Sequence, residues 1–215
     1  MADITFYRSN INEFDASKNG GSYTEIAESG VINNLIPDVR AYTAEFGGER
    51  WFKFFIKANE NLINIGVDIA RFTASLTEEV YLSLGGDDEY ESDLDKDNIR
   101  VYGGFKVVDF DGSTLTADRD VSNFVKSDDI VTFYNENQQR VTAWVVDSVD
   151  KEKITFKKKD NTNVKDLYAS SSIFIKSLDK DKYQGFWIKQ VIKPYTEVME
   201  EDPDNFVINI WYEKK

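Results

Sequence analysis

The side chains in this chain that could do chemistry are carboxylates, hydroxyls, amides and lysines, because its 215 residues contain no histidine and no cysteine. That removes imidazole bases, thiolate nucleophiles and the nitrogen and sulfur ligands that tetrahedral zinc prefers. The 39 Asp and Glu residues keep two carboxylate chemistries open. One is cation binding: Asp93, Asp95 and Asp97 alternate oxygen ligands as the start of a calcium loop does. The pattern then fails, with Asn98 at the sixth position where glycine belongs and Gly104 at the twelfth where a bidentate glutamate belongs. A solvated acidic loop is the better reading. The other is carboxylate-dependent glycoside hydrolysis, which needs an acid pair at a fixed separation in a cleft, something chain spacing does not display. No nucleophile elbow, phosphate-cradling glycine loop or Ser-Lys pair accompanies them. The expectation is therefore a non-enzyme without a cofactor.

Binding chemistry has two sources. Trp51, Trp144, Trp187 and Trp211 offer ring faces that sugars stack on, but their alternating strand context favours core or interface packing. Trp144 is the most open case. Val141, Ala143 and Val145 supply one apolar face of its strand, and Trp144 lies with Thr142 and Val146 on the other, which the outer sandwich or a neighbouring subunit should cover. Lys157, Lys158 and Lys159 form a basic run in an acidic chain. It serves either as a soluble strand end or as the partner of an acidic segment of the next copy, for instance residues 87–97. Trp144, Trp51, Trp187 and the three lysines are thus the candidate contact residues.

The formal charge of −13 and the isoelectric point near 4.5 repel phosphate backbones and anionic lipid, so neither nucleic acid nor membrane is an expected partner. Residues 86–129 carry thirteen acidic against five basic side chains, a net −8. The first residues lack a basic-then-apolar leader, and no apolar run reaches the roughly 18 to 20 residues of a membrane helix, which points to a soluble product made in a cytoplasm.

The elements that must position these groups read as strands. Ile4 and Phe6 alternate with Thr5 and Tyr7, and Phe52, Phe54 and Ile56 face away from Lys53 and Lys57. Residues 62–71 fit either a strand or a helical stripe, and four β-branched residues in period two decide for strand. Past Gly85-Gly86 comes a charged segment, then strands at 130–134, 140–149 and 153–157 with the spacing of a small meander or five-stranded barrel that Ile173 and Ile175 would close. The end of the chain returns to aromatic strands around Trp187 and Trp211, both expected against the strand at 51–56. The expected fold is all-β: an antiparallel β-sandwich from residues 1–85 and 183–215, interrupted by an acidic loop and small β module at 86–182. Gly85-Gly86 and residues 179–182 would be the attachment points.

The run Phe55-Ile56-Lys57-Ala58-Asn59, the Tyr81-Leu82-Ser83-Leu84-Gly85 ending and Phe186-Trp187-Ile188-Lys189 with Pro194 and Thr196 resemble a group of small virion proteins of tailed bacteriophages. The resemblance covers residues 1–86 and 185–212. Ala58 interrupts the group's Lys-Asn pair, and Tyr195 stands where it tends to have glycine. What it implies is a virion component made in the host cytoplasm, contacting copies of itself and other virion proteins. Capsid decoration and tail or baseplate are equally compatible placements. A carbohydrate-binding host-attachment module is the alternative function, and a glycosidase the third.

Overall fold

The computed structural model describes residues 3–11, 20–27, 41–71, 78–86, 99–195 and 206–215. Among them the fold is all-β, with antiparallel pairing throughout. In chain order the elements are β1 (Ile4–Ile11), β2 (Gly20–Ile26), α1 (Ala41–Phe46), β3 (Gly48–Ala58), β4 (Leu62–Arg71), β5 (Glu78–Leu84), β6 (Tyr102–Phe110) and β7 (Thr114–Ala117). Then follow β8 (Ile130–Tyr134), β9 (Arg140–Asp150), β10 (Lys153–Lys158), β11 (Tyr168–Leu178), β12 (Tyr183–Ile192) and β13 (Phe206–Lys214). The 13 strands are linked in one hydrogen-bonded order, β13-β4-β11-β8-β9-β10-β7-β6-β5-β12-β3-β1-β2, with an extra β11–β6 pairing.

That extra pairing makes two cores. In the sandwich, β2-β1-β3-β12-β5 faces a narrower layer of β13, β4 and the second half of β11. Strict alternation supplies the filling. Phe52, Phe54 and Ile56 of β3 and Phe186 and Ile188 of β12 meet Ile65, Val67 and Ile69 of β4, all buried. Residues 62–71 are a strand, as their β-branched period indicates. The other face of β3 is buried too: Lys53 lies 5.0 Å from the Phe55 ring centroid and 5.4 Å from that of Trp187. Tyr23 stacks on Tyr183 at 3.7 Å and ties β2 to this face. A central strand with both faces covered needs the near-continuous apolar run seen at 51–56.

The second core lies in a ring. β6 pairs with β7, β7 with β10, β10 with β9, β9 with β8, β8 with β11 and β11 with β6. This is a closed barrel of six strands in place of the expected five. The hairpin β6–β7, not foreseen as strands, turns at Asp111-Gly112. The Asp111 carboxylate accepts from the backbone N–H of Ser113 at 2.8 Å and Thr114 at 2.7 Å, and Gly112 takes φ +90°. The backbone and side-chain donors hold the Asp111 carboxyl down at about 2. Ile173 and Ile175 do not close this ring; they pair with Val67 and Ile65 of β4, and the closing residues are Tyr168, Ala169 and Ser170. β11 crosses from one core to the other because it is eleven residues long and each half has its own neighbours. Of the stretches expected as attachment points, Gly85-Gly86 bonds to Gly185, three residues past the 179–182 stretch, while Asp181 and Lys182 bond to the backbone of Ala58.

Two further expectations are corrected. Trp187 does lie against β3, opposite Lys53, but Trp211 is on β13, paired with β4 in the other layer. The faces of β9 are also reversed. Trp144 and Val146 point into the barrel at 1% and 0% exposure, while Val141 is 42% exposed. The cause is aromatic volume: Phe133, Phe156 and Phe110 surround Trp144 at 4.8, 5.1 and 5.3 Å, a filling that Val141, Ala143 and Val145 cannot match. In urea unfolding, Trp144→Ala should cost about 3–5 kcal/mol. Val141→Ala should stay within about 0.5 kcal/mol. Equal costs would reverse the assigned faces.

Candidate functional site

Where barrel meets sandwich, an acid is buried in the middle of an apolar strand. Asp68 alternates with Val67 and Ile69 on β4 and so points away from the sandwich core, yet it is 0% exposed because β8 and β13 close over it. Its Oδ2 accepts from the Tyr134 hydroxyl at 2.6 Å and from Ser172 Oγ at 3.3 Å, and Oδ1 accepts from the Asn209 amide at 3.2 Å. Burial pushes the carboxyl up to about 6, while these donors and the Arg140 charge work against the rise. Tyr134 is pushed far up by its own burial and by the adjacent acid, which keeps it a donor. The neighbouring serines are equally engaged. Ser170 Oγ donates to the Ile69 carbonyl at 2.9 Å, and Ser171 Oγ to the Phe124 carbonyl at 2.9 Å. Asp68 has no open side on which a substrate would sit.

One row further along β4 lies an open shelf. Phe174 and Trp211 both pair with Gly66, and their rings are 6.4 Å apart across the missing side chain. A Cβ on Gly66 would stand 1.9 Å from the Trp211 ring, so only glycine lets that indole lie on the backbone. Phe174 is 48% exposed. The Arg140 guanidinium sits 4.5 Å from the Trp211 centroid and makes no ion pair among the described residues. Exposed ring, exposed guanidinium and polar flanks such as Asn64, which donates to Glu213 at 2.9 Å, can stack a flat or pyranose ring and hold an acceptor.

The residues singled out from sequence do not converge here. Trp51, Trp144 and Trp187 are each 1% exposed within a single chain and leave no surface for another copy; as contact residues they are corrected. Trp51 and Trp187 fill the outer face of β3, and the Trp144 indole N–H donates to Asp160 at 3.1 Å. Lys157 pairs with Asp128, Lys159 donates to the Gly112 carbonyl beside the Phe110 ring, and Lys158 is exposed, so the three do not form one patch. Asp93, Asp95 and Asp97 fall outside the described residues, among which no cluster of acids fit to hold a metal occurs. No described helix is long and apolar enough to cross a membrane. Asp68, Tyr134 and Phe174 were not foreseen. An acid on one face of an alternating strand reads as solvent-facing, and nothing local announces the roof over it. Gly66 was the usable signal, because glycine inside a strand marks close approach.

Comparison with protein families, curated proteins and solved structures finds no match to this chain.

The buried acid has a pH signature. Its folded value of about 6 exceeds the ordinary 3.8, so between the two the folded state holds the proton more tightly. The stabilisation is fully present below about pH 4 and is lost as pH rises through 6, a change of about 3 kcal/mol. Asp68→Asn removes the titration and keeps one acceptor oxygen for Tyr134, while its amide NH2 replaces the oxygen that faces Asn209. Urea midpoints between pH 4.5 and 7.5 should therefore fall less, or rise more, in Asp68→Asn than in the parent chain. Parallel profiles would contradict the assignment.

Proposed function

We propose that this chain is a non-enzymatic structural protein of a tailed-phage particle, joined to copies of itself and to other virion proteins through strand edges and sheet faces. One observation chiefly supports the reading: the sheet is open, with β2 and β13 each paired on one side only among the described residues. An unpaired edge presents a row of backbone donors and acceptors that another strand satisfies. The groups richest in chemistry, by contrast, are engaged inside the chain, as Asp68, Tyr134 and Trp144 are. Two of the stretches that carry the virion resemblance also meet, since Phe186–Lys189 of β12 pairs with Leu84–Tyr81 of β5.

On this reading the chain co-purifies with gradient-purified particles at a fixed copy number, and an antibody against it decorates them regularly. Particles that form and infect without it in their protein complement would contradict the proposal.

A second reading, a carbohydrate-binding module for host attachment, is favoured by the shelf of Phe174, Trp211 and Arg140. Here a glycan array probed with and without calcium should give selective binding that drops at least about tenfold in Phe174→Ala, the loss expected when a stacking contact worth roughly 1.4 kcal/mol is removed. Binding unchanged by that substitution would remove the shelf from consideration.

A further inference from the structure

The two layers of the sandwich are unequal. Five strands, β2-β1-β3-β12-β5, lie over three, β13-β4-β11, and β13 is the outermost strand of the short layer. Its core-facing residues Ile208, Ile210 and Tyr212 pack on the buried cluster but are themselves only partly buried. Facing them on β1, Ile4 and Phe6 are in the same condition. Tyr212 donates to Asp3 at 2.9 Å and Lys214 pairs with Asp3 at 2.8 Å, which places β13 under β1 with β2 overhanging. Among the described residues the core is thus short of strand on one side.

Among the described residues no strand pairs with the outer edge of β13, and the strand itself lacks the usual protection. Residues 206–212 hold no proline, lysine or other charge, and Glu213 and Lys214 come only at the end. The one irregularity is the register shift between Trp211 and Glu213. Long unpaired apolar edges of this kind join other strands unless charge or proline blocks them. The occupant must be an extended strand, because unpaired N–H and C=O groups in strand geometry accept nothing else as completely. A second β13 fits by symmetry, since in an antiparallel pair of identical strands each donor meets its own acceptor across the two-fold axis. Residues directly opposite share a face, so the register must keep core-facing residues together. Centring on Ile210 does this: Ile208 opposes Tyr212, Ile210 opposes itself, and Asn209 opposes Trp211.

We propose that the chain forms a two-fold dimer through β13, which extends the three-stranded layer into a continuous six-stranded layer across two copies and covers Ile208, Ile210 and Tyr212. The seam gives the assembly reading above its first partner and rests on it. It is apolar between chains of charge −13, so salt should strengthen it by screening their repulsion.

The test exploits the absence of cysteine. In Ile210→Cys the two thiols would face each other at a separation a disulfide spans. Mild oxidation should therefore give a covalent dimer, at twice 24.7 kDa, on a non-reducing gel. Ile208→Cys, displaced from the axis, and Thr24→Cys, on the opposite free edge, should remain monomeric on the same gel. Light scattering on the parent chain should give a dimer fraction that rises between low and high salt. The seam is overturned if folded Ile210→Cys fails to cross-link, or if Thr24→Cys or Ile208→Cys cross-links as well. It is also overturned if the parent chain is monomeric at both salt concentrations, or if its dimer dissociates as salt rises. A monomeric chain still found in particles would sink the seam and leave the virion reading standing.

Discussion

Strand β11 is hydrogen-bonded to three others, and its path constrains the rest of the molecule. Over Tyr168, Ala169 and Ser170 it lies between β6 and β8 and closes the barrel; from Ile173 to Leu178 it is a strand of the sandwich. At the crossing, three consecutive serines are buried, at 0%, 0% and 4% exposure. Small hydroxyl side chains suit this place. The backbones of β4, β6 and β11 converge too closely for large residues, and each Oγ finds a carbonyl or carboxylate partner. Leaving such groups unpaired in this interior would cost about 1–3 kcal/mol each. Their satisfaction ties the two cores at one point.

Asp68 extends the same tie. Its partners come from β8, β11 and β13, so one carboxyl joins barrel strands to sandwich strands. A buried acid is a poor source of net stability, but it is intolerant of misplacement, because every donor must be in position to offset its burial. Arg140, whose charge acts on Asp68, also lies over the Trp211 ring, so the shelf adjoins the network. The polar network at the crossing and the exposed aromatic row thus have one structural cause: the barrel is seated on the back of β4. Among the described residues nothing pairs with the far edge of β13, the last strand of that layer.

Much of the fold was legible in the residues. Period-two alternation located β3, β4, β8, β9, β10 and β12, and the change in composition at Gly85-Gly86 marked where the chain leaves the sandwich. The β6–β7 hairpin was readable as well, from Phe105 and Val107 and the Asp111-Gly112 turn, though it was not among the expected strands. What sequence could not supply was which face of a two-sided apolar strand looks inward. On β9 both faces carry apolar residues, and only the ring around Trp144 decides between them. The same limit hid Asp68, whose environment is set by Tyr134 and Asn209, 66 and 141 residues away along the chain.

The central claim is that the crossing at β11 couples the barrel and the sandwich into one cooperative unit. The four tryptophans allow a direct reading in a single sample: Trp144 lies in the barrel, Trp51 and Trp187 in the sandwich, and Trp211 on the shelf. With fluorotryptophan incorporated, fluorine spectra across a urea titration would follow each site at once. Coincident midpoints and slopes for Trp144 and Trp187 are the predicted result. A barrel signal that melts apart from the sandwich signal would contradict the claim.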